Sequence, residues 1–236
     1  MSFLSTTAKL EHHTPLPPGT TRAQAIAMLS DYDFYFHCNP HMDKYELIPP
    51  SQHASLNPPP SIPDSVAAQL RTSSTPPPTA NGNGKVEVGE KGGDEQPTTS
   101  CYRVTDIVHA IPAGIWDTNV VSTYELTKIR DGLFVRIRSP LSTMLETFWE
   151  IRDLPDSPAG EGGGGGGSSS SGEEGGGGGL KEGGVSRLEL VESVTATSSR
   201  FLVGIVKASC ENGWREIHGT MVGRLEGELR GVRWSR

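Results

Sequence analysis

Apolar and polar positions along this chain recur with two periods, and the switch between them separates strands from helices. Residues 5–13 alternate in part, carry β-branched residues and stop at Pro15-Leu16-Pro17-Pro18-Gly19, which reads as a strand followed by a turn. Thr20-Thr21 offers a helix cap, and Ala23, Ile26, Ala27, Met28 and Leu29 recur at helical spacing from about Arg22. Tyr32, Phe34, Tyr35 and Phe36 continue that pattern to Asn39-Pro40, so two short helices are predicted. Residues 43–48 read as a second strand.

Period two then dominates. Residues 101–110 place Tyr102, Val104, Val108 and Ala110 on one face and break at Ile111-Pro112-Ala113-Gly114. Residues 118–129 set Val120, Tyr124 and Leu126 against Val121, Thr123, Glu125 and Thr127. Arg130-Asp131-Gly132 carries the Asp-Gly hairpin signal. Leu133, Val135 and Ile137 alternate with Phe134, Arg136 and Arg138 up to Ser139-Pro140-Leu141-Ser142. Leu145, Thr147, Trp149 and Ile151 alternate with Glu146, Phe148, Glu150 and Arg152, giving one apolar and one mostly charged face. Leu188, Leu190 and Val194 alternate with Arg187, Glu189 and Ser193.

From 198 to about 225 the period becomes helical, through Leu202, Ile205, Val206, Cys210, Ile217, Met221 and Leu225. Gly204, Gly213 and Gly219 weaken this helix by up to about 1 kcal/mol each relative to Ala, and Asn212-Gly213 is a place for a kink. The predicted order is a strand, a helix pair, a six-strand antiparallel meander and a long C-terminal helix. A sheet with one apolar face must be covered. The expected fold is therefore α+β: a seven-stranded curved antiparallel sheet wrapped around the C-terminal helix in a helix-grip arrangement, with a cavity between them.

Two segments break the pattern. Residues 50–99 contain Pro58-Pro59-Pro60, Pro63 and a further Pro triplet at 76–78, and residues 153–185 contain runs of Gly and Ser. Such compositions bury too little apolar surface to offset the entropy of ordering them, so both are expected to be disordered inserts. Residues 62–70 have the makings of a brief helix, but nothing nearby in sequence supplies an apolar face to meet it. The expected organisation is one domain over 1–230, interrupted at 50–99 and 153–185, with a tail at 231–236. The proline-rich insert is also a candidate docking segment for a protein partner.

A net charge of −7 argues against nucleic acid as the main partner, because phosphate binding needs clustered cations. Arg230, Arg233 and Arg236 form only a thin basic tail. No run approaches the roughly 18 apolar residues of a membrane span. The first residues lack the pattern of a signal peptide. The three cysteines, Cys38, Cys101 and Cys210, read as reduced thiols of an intracellular, cytoplasmic protein.

Candidate chemistry is sparse. Asp106 and Glu192 sit on faces that are otherwise apolar, where desolvation would raise their pKa values and either could anchor a ligand hydroxyl or act as acid or base. The plainer reading turns each outward at a bulge or strand end. His37, Cys38 and His41 resemble a metal cluster but lack a matched second pair, so no metal and no cofactor is expected. His12 and His13 point to opposite faces, so at most one of them meets a cavity, and His109 precedes a turn. Tyr124, Trp149, Leu133, Val135 and Leu145 would face the helix, most of them as core. No nucleophile elbow, phosphate loop or spaced cysteine pair is present outside the glycine tracts.

The order of elements resembles the START-like superfamily, which includes lipid-transfer domains, polyketide cyclases and plant hormone receptors. Thr14-Pro15-Leu16-Pro17-Pro18-Gly19, Cys38-Asn39-Pro40, Tyr102-Arg103-Val104-Thr105-Asp106, Ile111-Pro112-Ala113-Gly114 and Arg130-Asp131-Gly132-Leu133 resemble an uncharacterised fungal family within it. The resemblance implies gating loops at Pro112, Ala113 and Gly114 and at Ser139-Pro140-Leu141, on the sheet end opposite both inserts. Trp116 follows this gate as the aromatic expected to touch a ligand, and with the residues that alternation turns toward the helix the expected ligand-binding set is Pro112, Ala113, Gly114, Trp116, Tyr124, Leu141, Trp149 and Glu192. The expected function is binding or transport of a small apolar molecule, lipid or polyketide-like. The alternatives are a cyclase or hydro-lyase using Asp106 or Glu192, and an interaction module without a pocket.

Overall fold

A computed structural model of the chain describes residues 5–71, 99–109, 117–154 and 187–232. The elements are β1 (Ser5–Pro15), α1 (Arg22–Ser30), α2 (Tyr32–His37), β2 (Met42–Ile48), a 3-10 helix (Pro50–Ser55), α3 (Asp64–Arg71), β3 (Thr99–His109), β4 (Asp117–Ile129), β5 (Gly132–Ser139), β6 (Thr143–Asp153), β7 (Leu188–Ser199) and α4 (Val203–Leu229). The strands form one curved, open antiparallel sheet in the order β1-β7-β6-β5-β4-β3-β2. Six of them are a meander, and β1 returns to pair along its whole length with β7.

The helix pair is set by its caps. Thr21 accepts from the Gln24 amide while Gln24 accepts from the Thr21 amide, a reciprocal capping box that starts α1. Asp31 ends α1 and caps α2 through the Phe34 amide, at 3.2 Å. Its second oxygen holds Arg224 of α4 at 2.8 Å, and that guanidinium lies over the Phe34 ring. One aspartate thereby joins three helices.

Period-two positions of the strands then meet these helices. Val104, Leu126, Leu133, Val135, Trp149, Ile151 and Leu190 on the concave face pack with Met28, Leu29, Phe34 and Phe36 and with Met221 and Leu225 of α4. Each fully buried Leu or Phe contributes about 1.5–3 kcal/mol relative to exposure. The burial on α4 is concentrated in its C-terminal half, at His218, Met221 and Leu225, whereas Ile205 is exposed.

The structure corrects three expectations. The C-terminal helix begins at Val203, not near 198, because alternation continues past Val194: Ala196 and Ser198 are buried, and the strand is paired on both sides through Thr197. The glycines at 213 and 219 leave α4 unbroken. The third correction is that residues 50–71 are not a disordered insert. α3 forms and buries Val66 against Ile129, Phe134 and Phe148 of the convex sheet face. The apolar partner missing from the local sequence is supplied by strands far along the chain. Residues 72–98 and 155–186 lie outside the described residues.

Of the charged convex positions predicted on β5 and β6, Arg136 is buried, Arg138, Glu146 and Glu150 are half-buried, and Arg152 is exposed. Arg136 donates to Glu146 at 2.9 Å and to the Ser61 carbonyl at 2.7 Å, and approaches Glu125, which also accepts from Arg138. Ion pairs of this kind fix geometry more than they add stability, but removing one partner leaves the other buried and costly. Arg136 thus latches the segment leading into α3 onto the sheet.

The β4–β5 hairpin falls where the Asp-Gly signal placed it, with Ile129 opposite Gly132. The glycine is required by close approach, not by a left-handed backbone: a Cβ there would lie 1.8 Å from the Trp149 carbonyl oxygen of β6. The β5–β6 turn is the strained one, since Leu141 (φ 59°) and Ser142 (φ 57°) both adopt the left-handed conformation.

Candidate ligand cavity

Strand register assembles the centre of the site. His12, Glu192 and Trp149 occupy one cross-strand row on β1, β7 and β6, so neighbouring Cβ atoms stand about 4.5–5.5 Å apart. Facing them, Cys210, Trp214 and His218 lie four residues apart along α4 and share one helix face. Between this row and the N-terminal half of α4 lies a cavity of about 230 Å³, bounded on its other sides by α2 and β3–β6.

Glu192 is the polar centre. It is only 8% exposed, lines the cavity, and its Oε2 lies 2.9 Å from His12 Nδ1. His218 Nε2 lies 3.4 Å from the same oxygen, within ion-pair range but outside hydrogen-bond geometry. Thr14 Oγ1, two residues beyond His12 on the same face, lies 2.7 Å from His218 Nδ1. Aromatic rings hold the group in place: His12 stacks on Trp214 at 4.7 Å, and His218 packs against both Trp149 and Trp214. A carboxylate desolvated this far needs partners; His12 provides a hydrogen bond and His218 stands within ion-pair range.

Tyr35 of α2 forms another part of the wall, with its ring edge against Trp149. Burial, then the Glu192 charge, hold its phenol far above the ordinary range. Cys210 also lines the cavity, and burial pushes its thiol up to about 11, so it is a neutral, poor nucleophile near pH 7.

Asp106 belongs to a second polar group. It accepts from Tyr124 Oη at 3.1 Å and from Asn39 Nδ2 at 3.0 Å, and burial raises its pKa despite those bonds. Tyr124 and Asn39 reach the cavity wall, whereas Asp106 stands behind them.

Of the predicted site residues, Tyr124, Trp149 and Glu192 line the cavity. Leu141 does not; it is 75% exposed at the tip of the β5–β6 turn. Pro112, Ala113, Gly114 and Trp116 lie outside the described residues, as does the His109 side chain. His12 faces inward and His13 outward, where it contacts Glu11 and Glu189. His37 Nδ1 lies 2.7 Å from the Asp33 carbonyl, and Cys38 is buried. Among the described residues no three His, Cys, Asp or Glu side chains are placed to hold a metal ion, and no helix is long and apolar enough to cross a membrane. Sequence reading missed Trp214 and His218; their successive spacing of four after Cys210 was the available signal.

A seven-stranded antiparallel sheet gripping one long helix over a cavity defines a helix-grip protein. Residues 5–227 match the family described as Domain of unknown function (DUF7053), and the chain belongs to that family. No curated protein matches it.

Proposed function

We propose that this protein binds a small, mostly apolar molecule between the sheet and α4, as a carrier or sensor. The carrying observation is the cavity of about 230 Å³, walled by aliphatic and aromatic side chains with Glu192 as an inward polar group. Ligand sites have this character: concave, largely apolar, with a few placed polar groups. The volume equals that of about eight waters at ~30 Å³ each, which favours a compact, polyketide-like ring compound over a whole lipid. An interaction module without a pocket would instead fill this space with side chains.

The same reading assigns the family to the START-like superfamily, on the order of elements and the single helix gripped by the sheet. The fungal resemblance and a cytoplasmic location belong to this reading too, as does a protein partner for the proline-rich segment. A second reading, a cyclase or hydro-lyase, is favoured by one observation: a carboxylate paired with His12 lines the cavity. It ranks second because Asp106 stands behind Tyr124 and Asn39.

Native mass spectrometry of protein purified from a eukaryotic host tests the proposal. The expected result is a reproducible excess mass that disappears on denaturation. Protein that arrives bare and ignores a panel of lipids and aromatic polyketides would overturn it.

A further inference from the structure

The polar atoms of the cavity wall specify the ligand further. Both histidines approach Oε2 of Glu192, and among the described residues no side chain takes Oε1. Glu192 therefore offers the cavity an acceptor. Tyr35 offers a donor: its ring packs on Trp149, the cross-strand neighbour of Glu192, and both Tyr35 and Glu192 line the same space.

Resting on the ligand-binding reading, we infer that the cavity takes a compact apolar molecule bearing a hydroxyl group, a phenol or an apolar alcohol, whose oxygen accepts from the Tyr35 hydroxyl and whose proton is donated to Glu192. A hydroxyl is the simplest group that satisfies both. A ketone accepts from Tyr35 but sets its lone pairs against a carboxylate. A carboxylate ligand is repelled outright. An unsubstituted hydrocarbon leaves both protein groups desolvated without a partner. Burial and the Glu192 charge keep the Tyr35 phenol protonated, which preserves it as a donor over the physiological range.

Three probes of one shape separate these cases: 2-naphthol, naphthalene and 2-acetylnaphthalene, titrated against the full chain by tryptophan fluorescence or calorimetry. 2-Naphthol is expected to bind about 10- to 100-fold more tightly than naphthalene, as for hydrogen bonds involving a charged group, with 2-acetylnaphthalene showing no such gain. In Tyr35→Phe and Glu192→Gln, each confirmed as folded by circular dichroism, the ratio of 2-naphthol to naphthalene affinity should shrink, because the hydrocarbon no longer leaves that hydroxyl or charge without a partner. Equal binding of 2-naphthol and naphthalene overturns the hydroxyl assignment while leaving the cavity as a binding site. A naphthol preference that survives both substitutions overturns the assignment to Tyr35 and Glu192. If none of the three probes binds, the ligand-binding reading falls with it.

Discussion

Replacing Gly132 by alanine adds one methyl group where the β5 backbone lies against that of β6. The new Cβ would lie 1.8 Å from the Trp149 carbonyl oxygen, 2.8 Å from its carbon and 3.2 Å from Glu150 Cα. All three are backbone atoms, so no side-chain rotation relieves the contact. The strands must part where Leu133 pairs with Trp149 and Gly132 with Glu150. Overpacking that side chains can absorb costs about 1–3 kcal/mol; here the cost should be at least about 3 kcal/mol. In a domain of this size that lowers the melting temperature by roughly 6–12 °C. Gly219→Ala is the matched control, because its Cβ would meet nothing within 4 Å on an exposed face of α4. Relief of the glycine penalty in a helix should stabilise it by up to about 1 kcal/mol. Urea denaturation of both variants gives the two signs in one assay. A Gly132→Ala protein within about 0.5 kcal/mol of the parent would refute the β5–β6 approach described above.

Other perturbations act on separate parts of the molecule. Arg136→Met leaves Glu125 with Arg138 alone and frees Ser61, and should cost about 3 kcal/mol, read from the urea midpoint; an unchanged midpoint would mean the latch is solvated. Val66→Asp should undock α3 and raise hydrogen exchange in the β4–β5 hairpin, while leaving any bound mass in native spectra unchanged. Asp106 has a raised native pKa, so its favourable contribution is complete below the ordinary value of 3.8 and is lost as pH rises through the native one. Asp106→Asn should therefore gain on the parent protein as pH rises from that value; parallel pH series of denaturation curves that keep a constant gap would contradict this.

Alternation made the meander legible, because each strand buries one face and the period is set locally. The start of α4 was not, since Ala196 is a strand residue through pairing with both β1 and β6, and Ser198 through pairing with β1. α3 was also illegible, because Val66 meets Phe134 and Phe148, partners that no local window contains. At the site, Glu192 stood out as an acid on an apolar face. His218 did not, because a histidine on a helix acquires meaning only when the fold sets it 3.4 Å from a carboxylate on another element. Gly132 was read correctly as a turn marker for the wrong reason: tertiary proximity, not turn conformation, excludes a side chain there.

Where β6 hands over to β7, the Leu154 amide bonds to the Arg187 carbonyl at 2.7 Å. The ladder is thus closed before the intervening glycine-rich segment begins and again after it ends. Closure entropy grows only with the logarithm of length, about 0.6 kcal/mol per doubling. Shortening or lengthening the connection between Leu154 and Arg187 is therefore expected to leave the register of β6 against β7 unchanged, since that register is set by residues 144–153 and 188–197 alone.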